Sequence, residues 1–219
     1  MSAVAQTLGA HALPPIILGA LRIEAPAILA PMSGITDIGM RRVAARFGAG
    51  LVVSEMVAAS FYLAADEETR LRAEGEGLPI HVVQIAGRDP AAMAEAARLA
   101  EAAGAHAIDI NMGCPAKRVV GGYAGSALMR EPELAVALAR ATVAAVKVPV
   151  SVKMRLGWDA DDMNAPDLAR RFEAEGVALI TVHGRTRQQF YKGRADWRAI
   201  RAVRDAIALP LVANGDCAT

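Results

Sequence analysis

The sequence predicts an α/β fold: a (β/α)8 TIM barrel, truncated after the seventh strand. Three observations carry that expectation. Seven short apolar runs recur along the 219 residues, each continuous rather than alternating, as strands covered on both faces are. Helical patterns separate them, which implies parallel strands joined by right-handed crossovers. The strand entrances also alternate in kind. The first, third, fifth and seventh runs follow Pro26, Pro79, Pro149 and Pro210, whereas the second, fourth and sixth follow Gly48, Gly104 and Gly176. Proline ends a helix and starts extended chain, while glycine supplies a left-handed helix cap. A period of two suits a barrel whose odd and even strands fill alternate interior layers. A doubly wound open sheet is the alternative, but no run is followed by Gly-x-Gly-x-x-Gly.

The runs are residues 27–30, 51–53, 80–85, 107–110, 150–153, 179–182 and 211–213. Helix starts between them are signed by Asp37 ahead of Ile38, by Asp89-Pro90 ahead of an alanine-rich stretch, and by Pro132 and Pro166 at first-turn positions. After the seventh run only Asn214-Gly215-Asp216-Cys217-Ala218-Thr219 remains. The expected organisation is therefore one incomplete barrel domain over residues 1–219, with its eighth β/α unit absent.

Composition narrows the class. Hydrophobic residues make up 54% of the chain and charged ones 21%, which describes a compact globule rather than a disordered or fibrous chain. No apolar stretch approaches a membrane span, and residues 1–12 lack the basic and apolar blocks of a secretory signal; a cytoplasmic location and no membrane contact are expected. Cys114 and Cys217 are too far apart in sequence to suggest a disulfide framework or a metal-ligand pair, so no metal is expected. The net charge of +1 hides an uneven distribution: Arg185, Arg187, Lys192, Arg194, Arg198, Arg201 and Arg204 stand against the single acid Asp196. Such a cluster is a candidate phosphate-binding surface. Arg198, Arg201 and Arg204, at three-residue spacing, read equally well as a solvated helix face, whereas Arg185 and Arg187 follow a strand directly and point to function.

The ends of the strands carry the chemistry in this architecture. Cys114, in Asn111-Met112-Gly113-Cys114-Pro115, follows the fourth run and opens a loop, residues 117–126, expected to be mobile. An isolated cysteine is most often a small buried hydrophobe, but at a strand end a thiol is a candidate proton donor, nucleophile or ligand. The other strand ends supply Pro31, Met32 and Ser33; Gln84; Asn111; Lys153 and Arg155; His183 and Arg185; and Asn214, Gly215 and Asp216. An amide, a lysine and a histidine in apolar runs need partners if buried, and a flat heteroaromatic ring with carbonyls and ring nitrogens, a flavin, satisfies them together. Lys153 suits the anionic edge of a reduced flavin, its plainer role being to pair an acid. Gln84 offers a ring both donor and acceptor, or bridges backbone. His81 and His106 read as structural, and Trp158 as packing.

Six segments together resemble the tRNA-dihydrouridine synthases, especially the bacterial B type. They are the run from Ala30 to Asp37, Asn111-Met112-Gly113-Cys114-Pro115, Gly125-Ser126-Ala127-Leu128-Met129, the run from Val152 to Trp158, Val182-His183-Gly184-Arg185-Thr186-Arg187, and Asn214-Gly215-Asp216. The resemblance implies an FMN-dependent barrel, with a carboxy-terminal helical tRNA-binding domain and a later Gly-Arg segment that are not in this chain. By similarity, FMN recharged by NADPH gives hydride to C6 of a uracil in tRNA, and Cys114 gives a proton to C5. Pro31, Met32, Ser33, Gln84, Lys153, His183, Asn214, Gly215 and Asp216 would hold FMN; Asn111, Arg155, Arg185 and Arg187 would address the uridine and its phosphates. Competing readings are a dihydroorotate dehydrogenase-like flavoenzyme, whose small anionic substrate fits the basic stretch less well, and a non-catalytic remnant.

Overall fold

The computed structural model describes residues 14–122 and 124–216. Residues 1–12, read above for a signal, lie outside the described residues, as do Tyr123 of the cysteine loop and Cys217. Seven parallel strands form one sheet in sequence order: β3 (Ile28–Leu29), β4 (Leu51–Ala58), β5 (Val82–Ala86), β6 (Ala107–Met112), β7 (Val150–Arg155), β8 (Leu179–His183) and β9 (Leu211–Asn214). All seven runs are strands, although the first is shorter than its apolar span and the second continues to Ala58. The alternation of entrances has the expected basis, since Gly48, Gly104 and Gly176 have φ of +93°, +91° and +88°.

The helices are α1 (Ile38–Arg46), α2 (Ala59–Leu63), α3 (Glu67–Ala73), α4 (Pro90–Ala102), α5 (Lys117–Gly121), α6 (Pro132–Ala145), α7 (Ala165–Ala174) and α8 (Trp197–Ala206), with a 3-10 helix over Gly125–Arg130. Asp37 and Asp89 cap α1 and α4, accepting from the N–H of Met40 at 2.8 Å and of Ala92 at 2.7 Å. Residues 117–126 are not the bare loop expected, because α5 and the start of the 3-10 helix occupy most of them. No helix among the described residues is long and apolar enough to cross a membrane.

The strands are less uniform than the sequence suggests. Side chains alternate between the faces of a sheet. Val83, Ile85, Ile108, Ile110, Val152, Met154, Ile180 and Val182 are wholly buried in the core shared with Met93, Ala97, Leu138, Leu168, Phe172 and Val203 of the helices. Each such burial stabilises by roughly 1.5–3 kcal/mol. The intervening residues, Gln84, Asp109, Asn111, Ser151, Lys153, Thr181 and His183, share the opposite, concave face.

The sequence reading misses an antiparallel hairpin, β1 (Ile16–Leu18) and β2 (Leu21–Ile23), with Leu18 opposite Leu21. Its buried Leu18 and Ile23 join Leu51, Val53, Val82, Ala107 and Leu179, all near the amino-terminal ends of their strands. The hairpin plugs that end of the barrel and leaves the carboxy-terminal ends as the open mouth.

Candidate active site

Register brings the interior polar residues together. Gln84 is level with Asp109, Asp109 with Ser151, Asn111 with Lys153, and His183 with Asn214. Ser151 Oγ donates to Asp109 Oδ1 at 2.6 Å and Gln84 Nε2 donates to Asp109 Oδ2 at 2.6 Å. Gln84 Oε1 in turn accepts from Asn111 Nδ2 at 2.8 Å. The far end of Asn111 reaches the cysteine loop, where its Oδ1 accepts from the N–H of Gly113 at 3.2 Å and of Cys114 at 2.9 Å. Both ends of the Asn111 amide are thus engaged, and Asn111 positions Cys114.

Cys114 is held from the other side as well. Its carbonyl accepts from the backbone N–H of Ser126 at 3.0 Å and from Ser126 Oγ at 2.9 Å. Gly125, at φ +59°, leaves the room this needs, since a Cβ there would lie 2.8 Å from the Cys114 oxygen and 3.2 Å from Cys114 Cβ. The thiol is half-buried and free among the described residues, within electrostatic reach of Lys153 and Arg155.

Sequence reasoning passed over Asp109 by treating its strand as apolar. The available signal was a carboxylate two residues before Asn111, on the same face. Burial raises its pKa to about 6, with the hydrogen bonds from Ser151 and Gln84 and the charge of Lys153 opposing. Burial likewise lowers Lys153 to about 8, offset in part by Asp109. Lys153 makes no hydrogen bond or salt bridge among the described residues, so the mouth contains a half-buried cation whose ammonium interacts with Asp109 and Cys114 through charge alone. His183 falls to about 3, through burial first and then the charges of Arg155, Lys153 and Arg185. Its Nε2 lies 3.2 Å from Arg185 Nη1. Arginine can only donate, so Nε2 accepts and the neutral ring carries its proton on Nδ1, free for a ligand acceptor.

Two of the expected substrate arginines, Arg155 and Arg185, also brace the loops of the mouth. Arg155, 2% exposed, donates from Nε to the Gly113 carbonyl at 2.8 Å and from Nη1 to the carbonyls of Thr186 and Phe190 at 3.0 and 2.9 Å. Arg185, 6% exposed, donates from Nη2 to both carboxylate oxygens of Asp216, at 2.9 and 2.7 Å, and to the Gly193 carbonyl at 2.7 Å. Asp216, itself exposed, also accepts from the Ala195 N–H at 2.7 Å, so its carboxylate clamps the loop after β8. Arg201 pairs with Asp205 at 2.8 Å, and Arg204 donates to the carbonyls of Ile207 and Leu209, which makes that part of the basic stretch a helix face and its cap. Arg187 remains available.

Pro31, Met32 and Ser33 lie beside the mouth in a turn closed by Thr36, whose Oγ accepts from the Met32 N–H at 2.9 Å; Met32 and Ser33 are exposed. Asn214 and Gly215 end β9 next to His183. A cavity of about 590 Å³ between α3 and α4 lies at the opposite end, against His81 and His106. There His81 Nε2 meets the Ala73 carbonyl at 2.7 Å and His106 Nδ1 accepts from the His81 N–H at 2.9 Å, consistent with structural roles.

The sheet and this mouth define a barrel protein of the enzyme-bearing kind, with a thiol, a lysine and a histidine on successive strand ends. The chain matches the family described as Dihydrouridine synthase (Dus) over residues 28–219, and it belongs to that family. It is 60% identical over 192 residues to a probable tRNA-dihydrouridine synthase of Rhizobium leguminosarum bv. phaseoli, covering 88% of this chain and 61% of the relative. For a protein of the same description from Rhodobacter capsulatus the identity is 58% over 204 residues, covering 92% and 63%. A tRNA-dihydrouridine synthase B of Xanthomonas axonopodis pv. citri is 48% identical over 201 residues, covering 91% and 60%. The chain thus spans 60–63% of the length of these relatives. Among solved structures, an old yellow enzyme homologue from Zymomonas mobilis superposes with a TM-score of 0.61 at 15% identity, covering 95% of this chain and 83% of that one. Morphinone reductase gives 0.58 at 12%, covering 93% and 79%. At these identities the likeness is one of fold, and it bears out the barrel class.

Proposed function

We propose that this chain carries the flavin-dependent reduction of a uridine in tRNA to 5,6-dihydrouridine, with FMN as the flavin and NADPH as its reductant. The seat of Cys114 carries the reading: a half-buried thiol, fixed from both sides at a strand end, within reach of two cations, Arg155 and the lysine Lys153 that has no hydrogen-bonded partner among the described residues. The residues present fit a flavin. The ammonium of Lys153 lacks a hydrogen-bonded partner and suits the negative edge of a reduced ring, while His183 Nδ1–H and the backbone of Asn214 and Gly215 offer donors nearby. When bound, FMN supplies the hydride that goes to C6 of the uracil.

The protein's own part is to hold the base and complete the reduction. Cys114 Sγ gives its proton to C5, so one hydride and one proton saturate one double bond. Lys153 and Arg155 balance the charge left on sulfur. Pro31, Met32 and Ser33 border the ring's site, Gln84 lies on its floor, and Arg187 is the remaining candidate for a phosphate. A uridine must leave its stack to enter such a mouth. A tRNA substrate goes with a cytoplasmic site of action.

Replacing Cys114 by Ala tests the reading. Dihydrouridine formation on unmodified tRNA is expected to fall by about 10²–10⁴, the usual worth of general acid catalysis, while flavin content and its bleaching by NADPH stay at the parent's level. Orotate in place of tRNA is expected to give no turnover. Equal tRNA turnover by the alanine variant overturns the assignment.

A further inference from the structure

We propose that Arg130, Trp158 and Arg187 form a docking platform for the RNA backbone beside the mouth; this rests on the tRNA reading above. The guanidinium carbons of Arg130 and Arg187 each lie 4.9 Å from the centroid of the Trp158 ring. The three residues come from the end of the 3-10 helix, the loop after β7 and the loop after β8. Backbone bonds from Arg187 N–H to the Gly157 carbonyl at 3.0 Å and from Gln188 N–H to the Trp158 carbonyl at 2.9 Å lace the two loops together.

A ring attracts one cation through its quadrupole, but two cations on one ring repel each other unless an anion joins them. Neither arginine has a carboxylate partner: the salt bridges among the described residues include neither. The nearby acid Asp159 is occupied, its Oδ1 accepting from the N–H groups of Asp161 and Asp162 and its Oδ2 from Gln188. Among the described residues Arg187 Nε has no hydrogen-bond partner and is closed off from solvent, which leaves the terminal nitrogens of the fork to face outward. A phosphate oxygen answers the repulsion, and guanidinium forks match phosphate geometry. The ring holds both forks in place beforehand, which reduces the ordering cost of binding.

The position suits a substrate whose reacting base is at Cys114. The 3-10 helix begins at Gly125, against Cys114, and ends at Arg130. Its rise of about 2.0 Å per residue sets the platform on the order of 10 Å from the thiol, where phosphates flanking an extruded uridine would pass. The dinucleotide reductant also carries phosphates, but the surface continues beyond a small ligand's reach. Phe190 and Tyr191 are 42% and 65% exposed, packed edge to face at 4.7 Å, and followed by exposed Lys192 and Arg194. Exposed aromatics interleaved with cations are how proteins track single-stranded nucleic acid.

The test measures unmodified tRNA binding by the 219-residue chain across salt concentrations, with flavin uptake and NADPH-driven bleaching followed on the same preparations. The double substitution Arg130→Ala/Arg187→Ala is expected to reduce the slope of log affinity against log salt by about 1.5, two phosphate contacts, with bleaching unchanged. Arg130→Lys/Arg187→Lys is expected to keep the slope yet bind more weakly than the parent, because lysine brings charge without the stacked fork. Trp158→Ala is expected to weaken binding in the same way. A parental slope in the double alanine variant overturns the proposal, as does a parent that reduces flavin yet binds no tRNA. Slower bleaching with tRNA binding intact assigns the platform to the dinucleotide and also overturns it. A parent that binds tRNA through these arginines but takes up no flavin sinks the proposed chemistry and leaves the platform standing.

Discussion

The carboxylate of Asp109 has no hydrogen to give, so Gln84 must turn its amide nitrogen toward it. Gln84 then shows its oxygen to Asn111, and Asn111 shows its own oxygen to the N–H groups of Gly113 and Cys114. The polarity of the whole chain, and with it the seat of the thiol, is set by one buried charge. Holding that charge has a measurable cost. Asp109, raised from 3.8 to about 6, contributes no penalty below about pH 3, where it is protonated folded and unfolded alike. Stability is lost as the pH rises toward 6, by about 3 kcal/mol when complete. Lys153, lowered from 10.5 to about 8, is penalised below 8 and relieved as the pH rises toward 10.5; its share is smaller because solvent reaches part of it. The joint penalty is therefore greatest between about 6 and 8. In Asp109→Asn/Lys153→Met the asparagine keeps the bonds to Gln84 and Ser151 and the methionine fills the lysine's space. Urea unfolding without flavin is expected to find this variant more stable than the parent at pH 7 by roughly 2–5 kcal/mol. The gap is expected to narrow by about 2 kcal/mol at pH 4. A gap independent of pH would mean that neither group is held against its preferred state.

At the scale of elements, the cysteine loop works because a 3-10 helix starts where it does. Gly125→Ala meets two obstacles, the left-handed φ of +59° and contacts of 2.8 Å with the Cys114 oxygen and the Val119 Cγ1. The backbone term alone costs about 1–2 kcal/mol. The variant is expected to lose more than that in urea unfolding and to change the alkylation rate of Cys114, followed on its own peptide by mass spectrometry. Gly104→Ala, at φ +91° with nothing within 4 Å, is the control; it is expected to lose only the backbone term and leave the alkylation rate alone. The seven barrel strands and the capped starts of α1 and α4 were legible because each rests on a local signal, an apolar run or an Asp followed by a helical pattern. The β1–β2 hairpin was not, since two three-residue strands around Gly19-Ala20 offer too short a pattern to stand out. Strand ends alone were enough to bring Cys114, Lys153 and His183 to one end of the sheet. The bonds of the arginines were not legible, because charge shows in a sequence and partners do not: Arg185 and Arg155 look like Arg187 until the fold supplies Asp216 and the carbonyls of Gly113, Thr186 and Phe190.

Across the whole molecule, protection falls from the centre of the sheet to its margins. β5 and β6 are buried at every position, whereas β3 has no fully buried residue and neither does β9. Among the described residues these two strands each have one neighbour in the sheet order, β4 and β8 respectively. Edge strands present unpaired N–H and C=O groups that can pair with another chain, and natural edges are blunted by lysine. β9, Leu-Val-Ala-Asn, carries no charge, and Ala213 is its exposed residue. The 219-residue chain is accordingly expected to self-associate as its concentration rises, by edge-to-edge pairing that leaves the mouth residues of β6 and β7 untouched. Ala213→Lys puts a charge on the exposed position without entering the core, and is expected to shift the association to higher concentration by about tenfold or more, the equivalent of about 1.4 kcal/mol. Sedimentation velocity over a concentration series reads this directly, and hydrogen exchange on the same samples is expected to slow in β9 as the parent associates but not in the variant. A parent that stays monomeric throughout, or a lysine variant that associates as the parent does, would show that the edges are not where the molecule is adhesive.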